Sequence, residues 1–264
     1  MGSLDAPRGE QAEPVEPSGL GHVLRATLSQ AWDYAHLVIA GSLLWGLSVA
    51  APLAAMALVR DMRVAAAGMY LIGALTVGPM TVALYGMSET MARRELPSLG
   101  ALFAALRRFY WRAAGLFLVQ VFVLGGVLLA AWFYQAKFDH WLLEGLSLLW
   151  VYVALFWLTM NLYVPAFLVR TNRSVLGALR NGALLTLAHP GYSFLVLLQI
   201  ACMLALVALP VFARSNLALG VSFLVFFLVL PGFVPLLATN AMSDLLRRHE
   251  EEGSDEGDGE TGGR

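Results

Sequence analysis

A single carboxylate and a few amides interrupt otherwise apolar runs of this chain, and any chemistry would have to start from them. Glu89 falls just inside one end of a long apolar stretch. An acid within a membrane segment is costly and marks an ion or proton path by default. Arg93, one helical turn further on, offers a simpler account as an i,i+4 ion pair. Gln120, Asn161, Gln199 and Asn240, with Thr159 and Thr239, lie deeper in apolar stretches. They can line a polar cavity, or they can hydrogen-bond between helices at about 0.6–2 kcal/mol each. Both readings stay open. Asp33 and His36 stand at the edge of another stretch, where an interfacial position explains them as well as a proton relay does.

Helix-breaking residues also fall inside these stretches, at Gly78-Pro79, Pro165, Pro231-Gly232 and Pro235. A broken helix frees backbone groups that bind ions or substrates in transporters. It also shapes bundles that bind nothing. Ser42, Gly46, Ala50 and Ala54 recur every four residues and make a small-residue stripe, for packing within the chain or between copies. His22, His36, His140, His189 and His249 show no metal-ligand spacing, and Cys202 is the one cysteine. No Ser-Asp-His grouping, HExxH or phosphate-loop motif is present. The expectation is a chain with no cofactor, no metal site and no catalytic residue.

The elements that hold these residues follow from composition. Of 264 residues, 59% are apolar and 13% charged, against about 25% charged in a soluble domain. The charge-free intervals run over 34–59, 64–88, 113–136, 145–169, 181–213 and 215–243, each 24 residues or longer. About 20 apolar residues cross a bilayer core as a helix. Lipid offers no partner for unpaired backbone groups, and a barrel would need alternating polarity. The chain is therefore expected to be all-α, a polytopic membrane helix bundle of about six transmembrane helices at 34–59, 64–88, 113–136, 145–169, 190–213 and 216–240. Two or three interfacial amphipathic helices should accompany them, over 98–112, 174–187 and 20–32. Leu99, Leu102, Phe103, Leu106 and Phe109 share one face of the first. Leu176, Leu179, Ala183 and Leu187 form the stripe of the second. Residues 1–18 read as a disordered segment, 19–249 as the membrane domain and 250–264 as an acidic, disordered, solvated tail.

Charge sets the orientation. Residues 19–249 carry fifteen basic and seven acidic side chains, a surplus of eight that the acidic ends offset. With six spans, thirteen basic residues fall on one side and four on the other. The positive-inside rule then places both termini in the cytoplasm of a multi-pass cell-membrane protein. A basic body with its charges in short loops suits an anionic lipid bilayer rather than nucleic acid. Charge leaves open whether the 34–88 hairpin is two full spans. A faint echo links Leu99-Gly100-Ala101-Leu102, with Gln120 further along, to Leu176-Gly177-Ala178-Leu179, with Gln199 further along. A duplication and chance both account for it.

The stretch Thr76-Val77-Gly78-Pro79-Met80-Thr81-Val82-Ala83-Leu84-Tyr85 resembles the signature of the YesL-like bacterial membrane proteins. The charged turn Ala92-Arg93-Arg94-Glu95 and the segment from Phe103 to Phe109 are similar to the turn and amphipathic helix that come after the signature in that family. Leu44-Trp45 resembles its first-span element, although Trp45 and Pro79 lie further apart here and an extra stretch falls around 52–70. The resemblance implies Gly78, Pro79, Ala83, Leu84, Tyr85, Phe103 and Phe109 as family-motif positions. It implies no established activity, and a link to carbohydrate uptake at most.

The leading expectation is thus a non-enzymatic inner-membrane protein associated with transport. A transport subunit or cytoplasmic protein would dock on the inner interfacial helices. The rival is a self-sufficient secondary transporter, which with six spans would act as a homo-oligomer and use Glu89, Gln120, Asn161, Gln199 and Asn240 as a polar cavity. A membrane-embedded enzyme ranks last, because only Glu89, Asp33 and His36 could serve it.

Overall fold

The computed structural model describes residues 19–58, 62–93, 95–137, 141–172, 174–212 and 216–259. The expected disordered segment 1–18, the hairpin tip at 59–61 and the last residues of the tail, 260–264, lie outside the described residues. Among the described residues there are nine helices and no strand. They are α1 (Leu20–Asp33), α2 (Ala35–Leu58), α3 (Met62–Ala92), α4 (Leu99–Lys137), α5 (Trp141–Thr171), α6 (Val175–Ala188), α7 (Pro190–Phe212), α8 (Asn216–Leu228) and α9 (Leu230–Gly259).

Five helices, α2, α3, α4, α5 and α7, are long and apolar enough to cross a membrane, and the count is six where the bent pair α8–α9 is taken as one span. Large apolar side chains such as Phe122, Leu129, Trp132, Leu148, Leu206 and Phe223 point out of the bundle into open space. Water-soluble proteins do not carry so much apolar surface on every side. The 34–88 hairpin consists of two full-length helices, α2 and α3.

Three boundaries differ from the expected ones, one being that α9 continues to Gly259 through most of the stretch 250–264 expected as a disordered tail. The helix expected over 98–112 does not lie separately in the membrane plane; it runs straight into the next span as the 39-residue α4. No glycine or proline stands between Arg108 and Ala114 to end it. The separate short helices are α1 and α6. The helix expected over 216–240 is two helices, with α8 and α9 meeting at a 44° bend. Pro231 removes one helical donor there. Gly232, which a Cβ would drive to 2.8 Å from the Val38 carbonyl, donates its freed N–H to Ser42 Oγ at 2.9 Å. The small-residue stripe thus serves packing within the chain where it meets α8 and α9, since Gly46 abuts Phe227.

Three helices form the centre. In the apolar window of α3, 67% of residues are buried, against 11% for α4. Helices α3, α5 and α9 pack on one another pairwise, with α2, α4 and α7 outside them. The resulting core holds Tyr85, Leu116, Tyr163, Leu168, Leu237 and Leu245.

The family-motif block sits in this core as packing. Gly78 lets α4 approach so closely that a Cβ would stand 2.6 Å from Phe117 Cβ, and Gly86 does the same against Ala105 at 2.5 Å. Ala83, Leu84, Tyr85 and Phe109 are buried, whereas Phe103 is exposed.

The carbonyls that the prolines within α2 and α3 leave free face hydroxyls of the neighbouring helix. Pro52 cannot donate to the Ser48 carbonyl, and the Thr76 hydroxyl, 2.9 Å from it and equally from the Ile72 carbonyl of its own helix, has one proton to give to either. Pro79 cannot donate to Leu75, and Tyr110 does so at 2.8 Å. Helix α3 therefore stays one helix through its proline.

Candidate functional site

The deep amides do not form one cluster. Gln120 on α4 donates to Asn161 Oδ1 on α5 at 2.8 Å, and Asn161 Nδ2 donates to the Trp157 carbonyl one turn back, also at 2.8 Å. This pair satisfies itself between two helices. Gln199 is half-buried on α7, apart from both. Asn240 and Glu89 lie elsewhere, at the end of the bundle where α3, α5 and α9 finish and α4, α6 and α7 begin. Arg93, Arg107, Arg108, Arg112, Arg170, Arg180, Arg247 and Arg248 gather there and make it the basic end of the molecule.

Two acids are buried at the basic end. Glu89 is 7% exposed and accepts from Arg93 Nε at 2.9 Å. Its second oxygen, Oε2, is buried without a hydrogen-bond partner among the described residues. Asp244 is 2% exposed and accepts from Arg248 Nε at 3.1 Å and from the Tyr192 hydroxyl at 3.2 Å. Arg247 lies 3.6 Å from its other oxygen, and the Arg248 guanidinium sits 5.3 Å over the Tyr192 ring.

These two sites repeat one pattern on two helices. Met87-Ser88-Glu89 with Arg93 on α3 matches Met242-Ser243-Asp244 with Arg248 on α9. Each pairs an acid with an arginine four residues on, where a helix brings side chains together. Arg170 on α5 joins the two copies. Its Nε is 3.9 Å from Glu89 Oε1, and its Nη1 donates to Ser243 Oγ at 3.3 Å. A further clamp closes this end: Arg112 Nη1 donates to both the carbonyl and Oδ1 of Asn172, each at 3.1 Å, where Asn172 ends α5 with φ of 49°.

Beside this network lies a cavity of 340 Å³ between α1, α3 and α9, lined by His22, Gln30, Ala92, Asn240, Ser243 and Arg247 among others. Asn240 holds its wall in place, donating to Thr27 Oγ1 at 3.0 Å and to Gln30 Oε1 at 2.9 Å. Of the five residues expected to line one polar cavity, Asn240 lines this one, and Glu89 reaches it only through Arg170 and Ser243. Asp244, Tyr192 and Ser243 do not stand out as site residues in the sequence. The recurrence of Met-Ser-acid with arginine four residues on is the signal that could find two of them.

The fold and its surface define a multi-pass α-helical membrane protein with a polar, arginine-rich network at one end. The chain matches no protein family profile, no curated protein and no solved structure.

Proposed function

We propose that the chain is a non-enzymatic, transport-associated protein of a bacterial cytoplasmic membrane, with both termini and the basic end in the cytoplasm. The resemblance to YesL-like proteins supports the link to transport, with carbohydrate uptake as its narrower form. The charge split supports the orientation.

The observation that carries a docking role is the start of α4. Its 39 residues make a helix of about 58 Å, and a bilayer core takes up about 30 Å of that. The first turns bury Leu102, Ala105 and Phe109 against the bundle and leave Leu99, Phe103, Arg107 and Trp111 along the opposite stripe. Phe103 is 53% exposed. An apolar and cationic stripe on a rigid helix is a surface for a protein partner. The Gln120–Asn161 pair satisfies itself, which favours an accessory over a self-sufficient transporter.

Affinity purification of the tagged full chain from cross-linked native membranes tests the proposal. A transport subunit should copurify and be lost in Phe103→Asp, with thermal unfolding in detergent unchanged. Recovery of lipid alone would refute it.

A further inference from the structure

Among the described side chains, the charge around the basic-end cavity does not balance. Two buried carboxylates, Glu89 and Asp244, face four guanidinium groups, those of Arg93, Arg170, Arg247 and Arg248. Each carboxylate is already met by the arginine four residues on. Arg170 and Arg247 are the surplus. Arg247 lines the cavity, and Arg170 is bonded to Ser243, which lines it too.

The hydrogen-bonding groups show the same bias. Ser243 Oγ accepts from Arg170, which turns its own hydroxyl proton away from that bond. Gln30 accepts through Oε1 from Asn240, which leaves its amide N–H groups as donors. With Arg247, the cavity presents donors and positive charge from two helices. Positive charge and donors of this kind favour an anion rich in acceptor oxygens, and guanidinium suits phosphate oxygens best.

We infer that this cavity binds a phosphate-bearing anion, with Arg247 as the charged contact and Ser243 and Gln30 as hydrogen-bond donors. A volume of 340 Å³ fits a small headgroup or a phosphorylated small molecule. Helix α1, which forms one wall, exposes Leu28 and Trp32 on the face turned away from the cavity, residues suited to the depth of lipid headgroups. A phospholipid headgroup and a free phosphate share this chemistry. The site does not depend on the transport reading, since no partner protein contributes to it.

The test uses the purified full chain in a neutral detergent at constant ionic strength. Thermal unfolding is followed while inorganic phosphate, dioctanoyl-phosphatidylglycerol or dioctanoyl-phosphatidylcholine is titrated. Saturable stabilisation is expected from phosphatidylglycerol or from phosphate, whichever is tighter naming the source. Arg247→Gln should weaken it by about tenfold or more, as expected for a lost hydrogen bond to a charged group. Ser243→Ala should weaken it as well, and Arg180→Gln, on α6 away from the cavity, should leave it unchanged. Arg247 is 56% exposed, so its replacement should not disturb the unliganded protein's unfolding temperature. The inference is overturned if neither anion saturates, if phosphatidylcholine binds as tightly as phosphatidylglycerol, or if Arg247→Gln and Ser243→Ala bind both anions like the parent.

Discussion

The hydroxyl of Tyr110 on α4 donates at 2.8 Å to the carbonyl of Leu75 on α3, the carbonyl that Pro79 leaves without its helical partner. In lipid such a carbonyl has no water to turn to. Tyr110→Phe should therefore destabilise the bundle by about 1–3 kcal/mol, the cost of an unmet buried acceptor. In a Pro79→Ala background the helix supplies its own donor, so the same substitution should cost well under half as much. Thermal unfolding of the four proteins of this cycle measures the coupling. Additive effects would mean that the bond does not compensate the proline.

A second prediction concerns the closest approach of α3 and α4. A Cβ on Gly86 would stand 2.5 Å from that of Ala105. Gly86→Ala should cost about 1–3 kcal/mol by overpacking, and Ala105→Gly should recover part of the loss in the double variant. Equal stability of Gly86→Ala and the parent would mean that the two helices stand further apart than this contact requires.

The twin acids should differ in weight. Asp244 holds Arg248 and Tyr192 at hydrogen-bond distance, so Asp244→Asn should cost about 1–3 kcal/mol. Glu89 has one close partner, Arg93, whose side chain is 52% exposed, and Glu89→Gln should cost less than about 1 kcal/mol. Unfolding temperatures in one detergent decide the order, and the reverse order contradicts this division of the network.

Gln120→Leu removes an interhelical bond but leaves Asn161 its own backbone partner. A loss of about 1 kcal/mol is expected. Solute flux into liposomes, if the protein supports any, should not change. Abolished flux with unaltered stability would restore these amides as a transport site.

Much of this architecture can be read from the chain, for a physical reason. Hydrocarbon excludes charge along one dimension, so charge-free runs mark where helices cross: α2, α3, α5 and α7 lie close to those runs, while α4 begins well ahead of its own. The same rule hides which side of a span faces inward, because residues on both sides are apolar. That choice rests on Gly78, Gly86 and Gly232, whose partners Phe117, Ala105 and Val38 are distant in sequence. The candidate site is half legible. Glu89 with Arg93 is a local pair and visible in the sequence. Gln120 and Asn161 are 41 residues apart, and only packing shows that they satisfy each other. The Arg170 bridge between the twin acids depends on α3, α5 and α9 meeting, which no local pattern encodes.

The central claim is that these helices cross a membrane with the arginine-rich end in the cytoplasm. Single cysteines placed in a Cys202→Ser background test it most directly, with Phe103→Cys at the basic end and Gly145→Cys near the opposite end, both exposed. A membrane-impermeant maleimide applied to intact cells should label Gly145→Cys and reach Phe103→Cys only after the membrane is opened. Labelling of Phe103→Cys in intact cells, with Gly145→Cys protected, would contradict the account.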